Sequence, residues 1–177
     1  PRCRIRDCLR QMARIKPFLA GIFISIASVA ASVVVHAADY EVITGVAHVI
    51  DGDTLEIDGM RIRLHGVDAP EQRQSCIAGN GRKWACGAEA TFALANLAGA
   101  KSVTCKQVNK LKDGNFYGSC QIGKHDLSAM LVFQGWAIAD RRMSKDYVNE
   151  ELDAKELMRG LWRGNFVKPW IWRDQQK

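Results

Sequence analysis

The stretch VIDGDTLEIDGMRIRLHGVDAPE, residues 49–71, contains the feature that most constrains the fold. Its Asp58-Gly59 pair lies between two runs of alternating apolar and polar residues, which predicts a two-residue hairpin turn, because that turn requires positive φ at both central positions. The turn sets the register of the two strands, so that one face of the hairpin is apolar except for Asp53 at its far end. The predicted pairs are Ile57–Met60, Leu55–Ile62 and Asp53–Leu64 on that face, and Thr54–Arg63 and Glu56–Arg61 on the polar face.

Three acidic side chains fall near one end of this hairpin. Asp53 lies at the rim of the core-facing row, where a carboxylate needs a cation or several hydrogen-bond donors to offset its desolvation. Asp68 and Glu71 follow the second strand, in a segment that Pro70 makes rigid. Carboxylates and a backbone carbonyl are hard oxygen ligands of the kind that suits calcium. Each acid alone is also consistent with an ordinary polar turn, but the three together predict a cation site.

The segments IDGDT and RIRLHGVDAPE resemble the staphylococcal-type thermonuclease family, and the similarity continues weakly to the C-terminus. The resemblance implies an α+β fold, namely a five-stranded oligonucleotide-binding (OB) β-barrel with about three helices. It also implies an enzyme that cleaves DNA and RNA phosphodiesters using Ca²⁺. By motif, Asp53 and Asp68 correspond to the carboxylate ligands of the metal, and Ala69 to the residue that contributes its backbone carbonyl. Arg63 corresponds to a phosphate-binding arginine and Glu71 to the proposed general base.

The resemblance also implies a second catalytic arginine, within a Tyr-Gly-Arg sequence near the fourth and fifth strands. In this chain the aligned position is Tyr117, which carries no positive charge at neutral pH. Loss of one charged donor to the developing phosphate charge costs about 2–4 kcal/mol, or roughly a hundred- to thousandfold in rate. The candidates to replace the missing charge are Lys110, Lys112, Arg141 and Arg142.

The N-terminal residues are typical of an export signal. Arg14 and Lys16 precede an apolar run, residues 18–35, and the small-residue pattern His-Ala-Ala follows at residues 36–38. We expect residues 1–37 to be a signal peptide.

A start at Met12 would give the signal peptide its usual proportions, so residues 1–11 are interpreted as an over-extended start. The alternative is an uncleaved membrane anchor, for which the apolar run is near the minimum length. We favour cleavage, which leaves residues 38–177 as one secreted or periplasmic OB-fold domain. We expect this domain to be monomeric and to have no stable membrane association.

Removal of the predicted signal peptide nearly neutralises the chain. Residues 1–37 hold six of the 25 basic residues and one of the 19 acidic residues, which leaves 19 against 18, or a net charge of +1. Phosphate binding must then come from local patches rather than from the field of the whole protein.

Four of the six cysteines lie in the predicted mature chain, and an even number in an exported protein suggests disulfides, with three possible connectivities. We favour Cys76–Cys86, which would close a loop containing Gly and Asn. The second disulfide that we favour is Cys105–Cys120, which would join two adjacent strands.

The remaining elements follow from hydrophobic spacing and turn residues. Strands are predicted at residues 41–49, 102–108 and 116–122, in addition to the hairpin. Three helices are predicted: one at residues 85–97, a short one that begins after its N-cap Asp126, and one at residues 145–159.

The C-terminal tail interleaves aromatic and basic residues, which allows two interpretations. The aromatic rings could stack nucleic-acid bases, as in single-strand binders, or they could pack on the barrel and cap its core, which we favour. The residues concerned are Trp162, Phe166, Trp170 and Trp172, with Arg163, Lys168 and Arg173 between them.

Three functions remain open from the sequence. The first is an exported calcium-dependent nuclease acting on DNA or RNA, with single-stranded nucleic acid as the expected partner and with activity altered by Tyr117. The second is a catalytically degenerate accessory protein, since thermonuclease-like exported proteins are also associated with succinoglycan exopolysaccharide gene clusters in rhizobia. The third is a nucleic-acid-binding OB module without hydrolysis.

Overall fold

The computed structural model describes residues 41–113 and 115–177. The predicted signal peptide and its cleavage pattern lie outside the described residues. Within them, no helix is both long and apolar enough to cross a membrane.

The described chain contains short strands and four α-helices, joined mostly by tight turns. The strands are β1 (Val42–Val46), β2 (His48–Val49), β3 (Thr54–Ile57), β4 (Met60–Leu64), β5 (Val67–Asp68), β6 (Cys76–Ala78), β7 (Lys83–Trp84), β8 (Ser102–Lys110), β9 (Phe116–Ile122), β10 (His125–Asp126), β11 (Ile138–Ala139) and β12 (Gly164–Asn165). The helices are α1 (Cys86–Ala98), α2 (Leu127–Phe133), α3 (Val148–Glu156) and α4 (Pro169–Asp174), and a 3₁₀ turn spans Gly160–Arg163.

The hairpin of β3 and β4 has the predicted turn and register. Asp58 and Gly59 have φ values of 50° and 79°, which is the left-handed geometry that the turn requires. The four observed pairs, from Thr54–Arg63 to Ile57–Met60, are those predicted. Its apolar face is buried, and Asp53 at the end of that face is only 3% exposed.

The main sheet is mixed, with strand order β1-β8-β9-β4-β3-β2. Its pairs are antiparallel except that β4 runs parallel to β9. Only Ala47 separates β1 from β2, which lie at opposite edges of this order, so the chain itself joins the two edges and the sheet curls into a half-barrel. This arrangement confirms the predicted α+β fold of the OB type, with the six-residue helix α4 as an addition to the three helices expected.

The core lies between the concave face of the sheet and helices α1 and α2. Helix α1 buries Ala90 and Leu94 and ends at Gly99, which has a positive φ of 53°. Asp126 caps α2 as predicted, because its carboxylate accepts a hydrogen bond from the backbone N–H of Ala129 at 3.0 Å. Helix α1 lies beside the acidic end of the hairpin, since a Cβ at Gly52 would come within 3.0 Å of the Ala90 side chain.

The last predicted helix is shorter than expected. We predicted residues 145–159, but α3 ends at Glu156, and Met158 has a φ of 49° and is 69% exposed. The chain turns there because Gly160 packs against the backbone of Gly135 and the next N–H, of Leu161, donates to the Gly135 carbonyl at 2.9 Å. A long-range backbone contact thus ends a helix whose apolar spacing continues in the sequence.

Both favoured disulfides are present. Cys105 and Cys120 are direct partners in the β8–β9 ladder, and their bond closes a separation of 15 residues. Cys76 and Cys86 join β6 to the first residue of α1. The second bond fixes the loop that follows the acidic segment.

Candidate active site

Asp53 is held by four hydrogen bonds at the entrance to β3. Its backbone N–H donates to Asp51 Oδ1, while its carboxylate accepts from the Thr54 hydroxyl at 3.0 Å. Its Oδ2 accepts from the Ala69 N–H at 3.0 Å and from Arg63 Nη2 at 3.2 Å. Gly52 makes the turn fit, since a Cβ there would lie 2.8 Å from the Ala69 side chain.

Asp68 lies at the end of β5, opposite Ile138 of β11, and is 2% exposed. Arg63 Nη2 donates to its Oδ1 at 3.1 Å, so a single guanidinium nitrogen bridges Asp68 and Asp53. The hairpin and its exit strand therefore bring together the acids and the arginine that the sequence singled out.

The electrostatics of the pair are dominated by burial. Burial raises the pKa of Asp53, and the opposing effect of Arg63 does not cancel it. Burial likewise raises the pKa of Asp68, against hydrogen bonds and charges from the arginines around it. For Arg63, burial acts to lower the pKa, but the carboxylates of Asp53 and Asp68 outweigh it and raise the pKa. The arginines therefore do not fully offset the burial of the two aspartates, which favours additional positive charge beside them.

Arg173 reaches the same site from α4, and the sequence analysis did not place it there. Its guanidinium forms a paired interaction with Asp68, with Nη1–Oδ1 at 2.9 Å and Nη2–Oδ2 at 2.7 Å. Nη1 also donates to Glu71 Oε1 at 2.6 Å. The hydrogen bonds that Arg173 donates to Asp68 are the main cause that raises the pKa of Arg173.

Glu71 lies in the loop after β5, with about a third of its side chain exposed. Its backbone is packed closely against α1, because a Cβ at Gly87 would overlap the Glu71 carbonyl oxygen. The buried side chain of Gln74 accepts from the Glu71 N–H at 3.3 Å and donates to the Val167 carbonyl at 2.7 Å. Gln74, which the sequence did not indicate as a site residue, links the Glu71 loop to the segment that leads into α4.

Tyr117 lies beside Arg63, since the two residues are partners in the parallel β4–β9 pair. Of the cations proposed to replace the missing arginine, Arg142 comes within 3.8 Å of Asp68. Its guanidinium is already paired with Asp140, at 2.8 and 2.7 Å, and stacks on Trp170. Arg141 instead bonds the buried Glu151 at 2.8 Å.

The donor atoms present suit a hard cation. No cluster of three or more His, Cys, Asp or Glu side chains placed to hold a metal occurs within the described residues. The predicted set needs only the two buried carboxylates of Asp53 and Asp68 with the Ala69 carbonyl. Both carboxylates are buried, and their oxygens converge on one cationic nitrogen of Arg63 at 3.2 and 3.1 Å, so the oxygens present fit a divalent cation. Such an ion would take over contacts that Arg63 and Arg173 make in this structure.

The aromatic tail packs on the protein, as favoured. Trp162, Phe166 and Trp170 pack against a small buried cluster that includes Leu161 and the Cys76–Cys86 disulfide. Trp172 differs, because it lines an open cleft of about 260 Å³ next to Glu71.

The family of this chain follows from its similarity to known proteins. The family model described as staphylococcal nuclease homologue matches residues 61–164, more than half of the 177 residues. The chain belongs to this family. The matched segment of this staphylococcal nuclease homologue contains Arg63, Asp68, Glu71 and Tyr117.

Curated relatives of this staphylococcal nuclease homologue include proteins named as nucleases and one named for succinoglycan biosynthesis. Succinoglycan biosynthesis protein ExoI of Rhizobium meliloti (strain 1021) is 36% identical over 126 residues, covering 70% of this chain and 66% of that protein. An uncharacterized endonuclease of Escherichia coli O157:H7 is 30% identical over 141 residues, covering 74% of this chain and 84% of the relative. The probable staphylococcal-like nuclease CAN3 of Oryza sativa subsp. japonica is 31% identical over 120 residues, covering 66% and 29%. The matched part is thus less than two thirds of the rhizobial and rice proteins.

Proposed function

We propose that this staphylococcal nuclease homologue is an exported, calcium-dependent phosphodiesterase that cleaves single-stranded DNA or RNA. The observation that carries the proposal is the convergence of acids and arginines at Asp68. Arg63 and Arg173 both donate to its carboxylate, and Glu71 is joined to the same guanidinium as Asp68. Hydrolysis of a phosphodiester needs this combination of a cation-binding carboxylate pair, a proton acceptor and positive charge for the phosphate oxygens.

Hydrolysis adds a water oxygen to phosphorus and breaks the bond to the leaving oxygen. Glu71, partly exposed and reachable from the open cleft, would accept the proton that the attacking water loses. The leaving oxygen would take a proton from solvent. Arg63 would donate to the non-bridging phosphate oxygens, whose negative charge grows in the transition state.

Calcium would be held by Asp53 and Asp68, together with the Ala69 carbonyl. When bound, such an ion supplies charge neutralisation and orientation at the phosphate. The hydrogen bond from the Ala69 N–H to Asp53 fixes the orientation of this carboxylate. In the structure described here, Arg63 and Arg173 provide the positive charge.

Export is supported by the cysteines. Both pairs in the described chain form disulfides, and such bonds persist in oxidising compartments. A secreted or periplasmic location fits this chemistry and the predicted signal peptide. We expect the protein to act there as a monomer.

A second candidate function is an accessory role without catalysis. Tyr117 beside Arg63 removes the charge that the family motif places there, and one relative is named for succinoglycan biosynthesis rather than for a nuclease activity. A nucleic-acid-binding module that does not hydrolyse its ligand is the remaining alternative.

The test is hydrolysis of a fluorescent single-stranded DNA, with calcium and with chelator. We expect turnover that depends on calcium and that falls at least a hundredfold in Glu71→Gln. Glu156→Gln, at an exposed position on α3 away from this cleft, removes the same charge as a matched control and should retain activity. Binding of the oligonucleotide without turnover would favour the binding module, and neither binding nor turnover would favour the accessory role.

A further inference from the structure

We propose that Arg173 is a catalytic residue that supplies from the C-terminal helix the positive charge that Tyr117 has removed from the strand. The inference rests on the proposed function and names the residue that completes the site. It concerns a side chain that lies 105 positions after Asp68 in the sequence and outside the segment that matches the family model.

Arg173 and Arg63 converge on one atom. Nη1 of Arg173 lies 2.9 Å and Nη2 of Arg63 lies 3.1 Å from Asp68 Oδ1. Two guanidinium groups at one oxygen form a paired cationic site that suits a phosphodiester, whose negative charge is shared by two non-bridging oxygens. Their mutual repulsion, which acts to lower the pKa of Arg63, is tolerated because carboxylates surround both groups.

Arg173 is also accessible to a substrate. About 31% of its side chain is exposed, and its partner Glu71 lines the open cleft of about 260 Å³. Trp172, the preceding residue, lines the same cleft. A phosphodiester that enters this cleft therefore meets the proposed general base and the Arg173 guanidinium together.

Arg142, a third arginine near Asp68, is less suited to this role. Arg142 is held by Asp140 through two hydrogen bonds of 2.8 and 2.7 Å, and it lies 3.8 Å from Asp68. It also stacks on the ring of Trp170 at 4.2 Å. Because Trp170 and Arg173 are both on α4, Arg142 and Asp140 act to position this helix.

The carboxylates that bind Arg173 are those that change partners when the site is loaded. Asp68 would hold the cation and Glu71 would accept a proton, so both would loosen their hold on the guanidinium in the loaded site. Arg173 would donate to the non-bridging oxygens while the bond from the attacking water to phosphorus forms and the bond to the leaving oxygen breaks. Glu71 would take the water's proton, and the leaving oxygen would take a proton from solvent.

The decisive experiment compares four forms of the full-length protein in calcium-dependent cleavage of single-stranded DNA. These are the parent, Arg173→Ala, Tyr117→Arg with Arg173→Ala, and Arg82→Ala. Arg82, on the exposed β6–β7 loop, controls for loss of one positive charge. We expect Arg173→Ala to lower kcat by about a hundred- to thousandfold, with a smaller change in KM, and we expect added Tyr117→Arg to restore at least a tenth of the parent rate. Arg82→Ala should match the parent.

Calcium binding, measured by calorimetry without substrate, separates this role from a structural one. Arg173→Ala should bind calcium at least as tightly as the parent, because Asp68 loses a competing partner. Folding is checked by tryptophan fluorescence and thermal unfolding, with Arg173→Lys as the milder variant. Arg173→Lys should retain intermediate activity.

Parent turnover that persists in Arg173→Ala would overturn the inference while leaving the nuclease intact. A rise in turnover on loss of Arg173 would identify it as an inhibitory contact and also overturn the inference. A loss that Tyr117→Arg does not restore, accompanied by weakened calcium binding, would assign Arg173 a structural role instead. Absence of turnover in the parent would overturn the proposed function and this inference with it.

Discussion

Gln74 donates a 2.7 Å hydrogen bond to the carbonyl oxygen of Val167 across 93 positions of the sequence. The glutamine is fully buried, and the same side chain accepts from the N–H of Glu71. One amide therefore joins the loop of the proposed general base to the segment that leads into α4. The relative position of Glu71 and Arg173 depends on this link.

The first prediction is that Gln74→Leu weakens both stability and activity. The leucine keeps most of the buried volume but leaves the Val167 carbonyl and the Glu71 N–H without this partner, which should lower the free energy of unfolding by about 1–3 kcal/mol. A loosened Arg173 should lower kcat by roughly ten- to a hundredfold. Urea unfolding and DNA hydrolysis measure the two effects. Gln121→Leu, at an exposed position on β9, is the control, and equal behaviour of the two variants would contradict the assignment.

The two disulfides should contribute similarly to stability but differently to activity. They close separations of 10 and 15 residues, for which the loss of chain entropy predicts about 3 kcal/mol each. The bond of Cys105 with Cys120 lies within the β8–β9 ladder, whereas that of Cys76 with Cys86 holds the Glu71 loop against α1. Only the Cys76→Ala, Cys86→Ala variant should lose kcat when assayed well below its unfolding temperature. Loss of kcat in the Cys105→Ala, Cys120→Ala variant would contradict the predicted difference in activity.

The parts of the fold that follow from local chemistry were predictable. Asp58-Gly59 requires a positive-φ turn, which sets the register of β3 and β4 and so places Asp53 at the end of a buried row. The same reasoning placed the Asp126 cap, since a carboxylate at that position satisfies a free N–H of α2.

The parts that depend on distant contacts were not predictable in this way. The end of α3 is set by Gly135 against Gly160, and nothing in the local spacing indicates it. Arg173 reaches Asp68 only because the tail folds back, and an aromatic and basic tail that packs on the barrel does not by itself indicate which cation enters the site. The signal in the sequence was Tyr117, which left room for a cation from elsewhere in the chain.

The stability of the domain should depend on pH through Glu151. This residue is 2% exposed and accepts from Lys155 at 2.7 Å and Arg141 at 2.8 Å. Burial acts to raise its pKa, but these hydrogen bonds outweigh it and lower the pKa below its ordinary 4.5. A carboxyl group whose pKa is lower in the folded state than in the unfolded state stabilises the fold at pH values above its unfolded-state pKa. This stabilisation is lost as the pH falls through the folded-state pKa.

Glu151→Gln should therefore lower the free energy of unfolding by about 1–3 kcal/mol at pH 7. The difference from the parent should shrink as the pH is lowered below 4.5. Urea unfolding at several pH values measures this difference. Glu156→Gln at an exposed position of the same helix is the comparison, and a difference for Glu151→Gln that stays constant with pH would contradict the assignment.

Calcium should stabilise the protein through Asp53. A ligand that binds only the folded state adds about 2.7 kcal/mol at a hundred times its Kd, so the unfolding temperature should rise with calcium and return with chelator. Asp53→Asn removes one charged oxygen from the site and should abolish this rise. The same change at the exposed turn, Asp58→Asn, preserves the positive-φ geometry and should leave the rise intact. Thermal unfolding with and without calcium decides between these outcomes: an equal calcium shift in both variants would place the ion elsewhere, because only Asp53 is buried against Asp68 and Arg63.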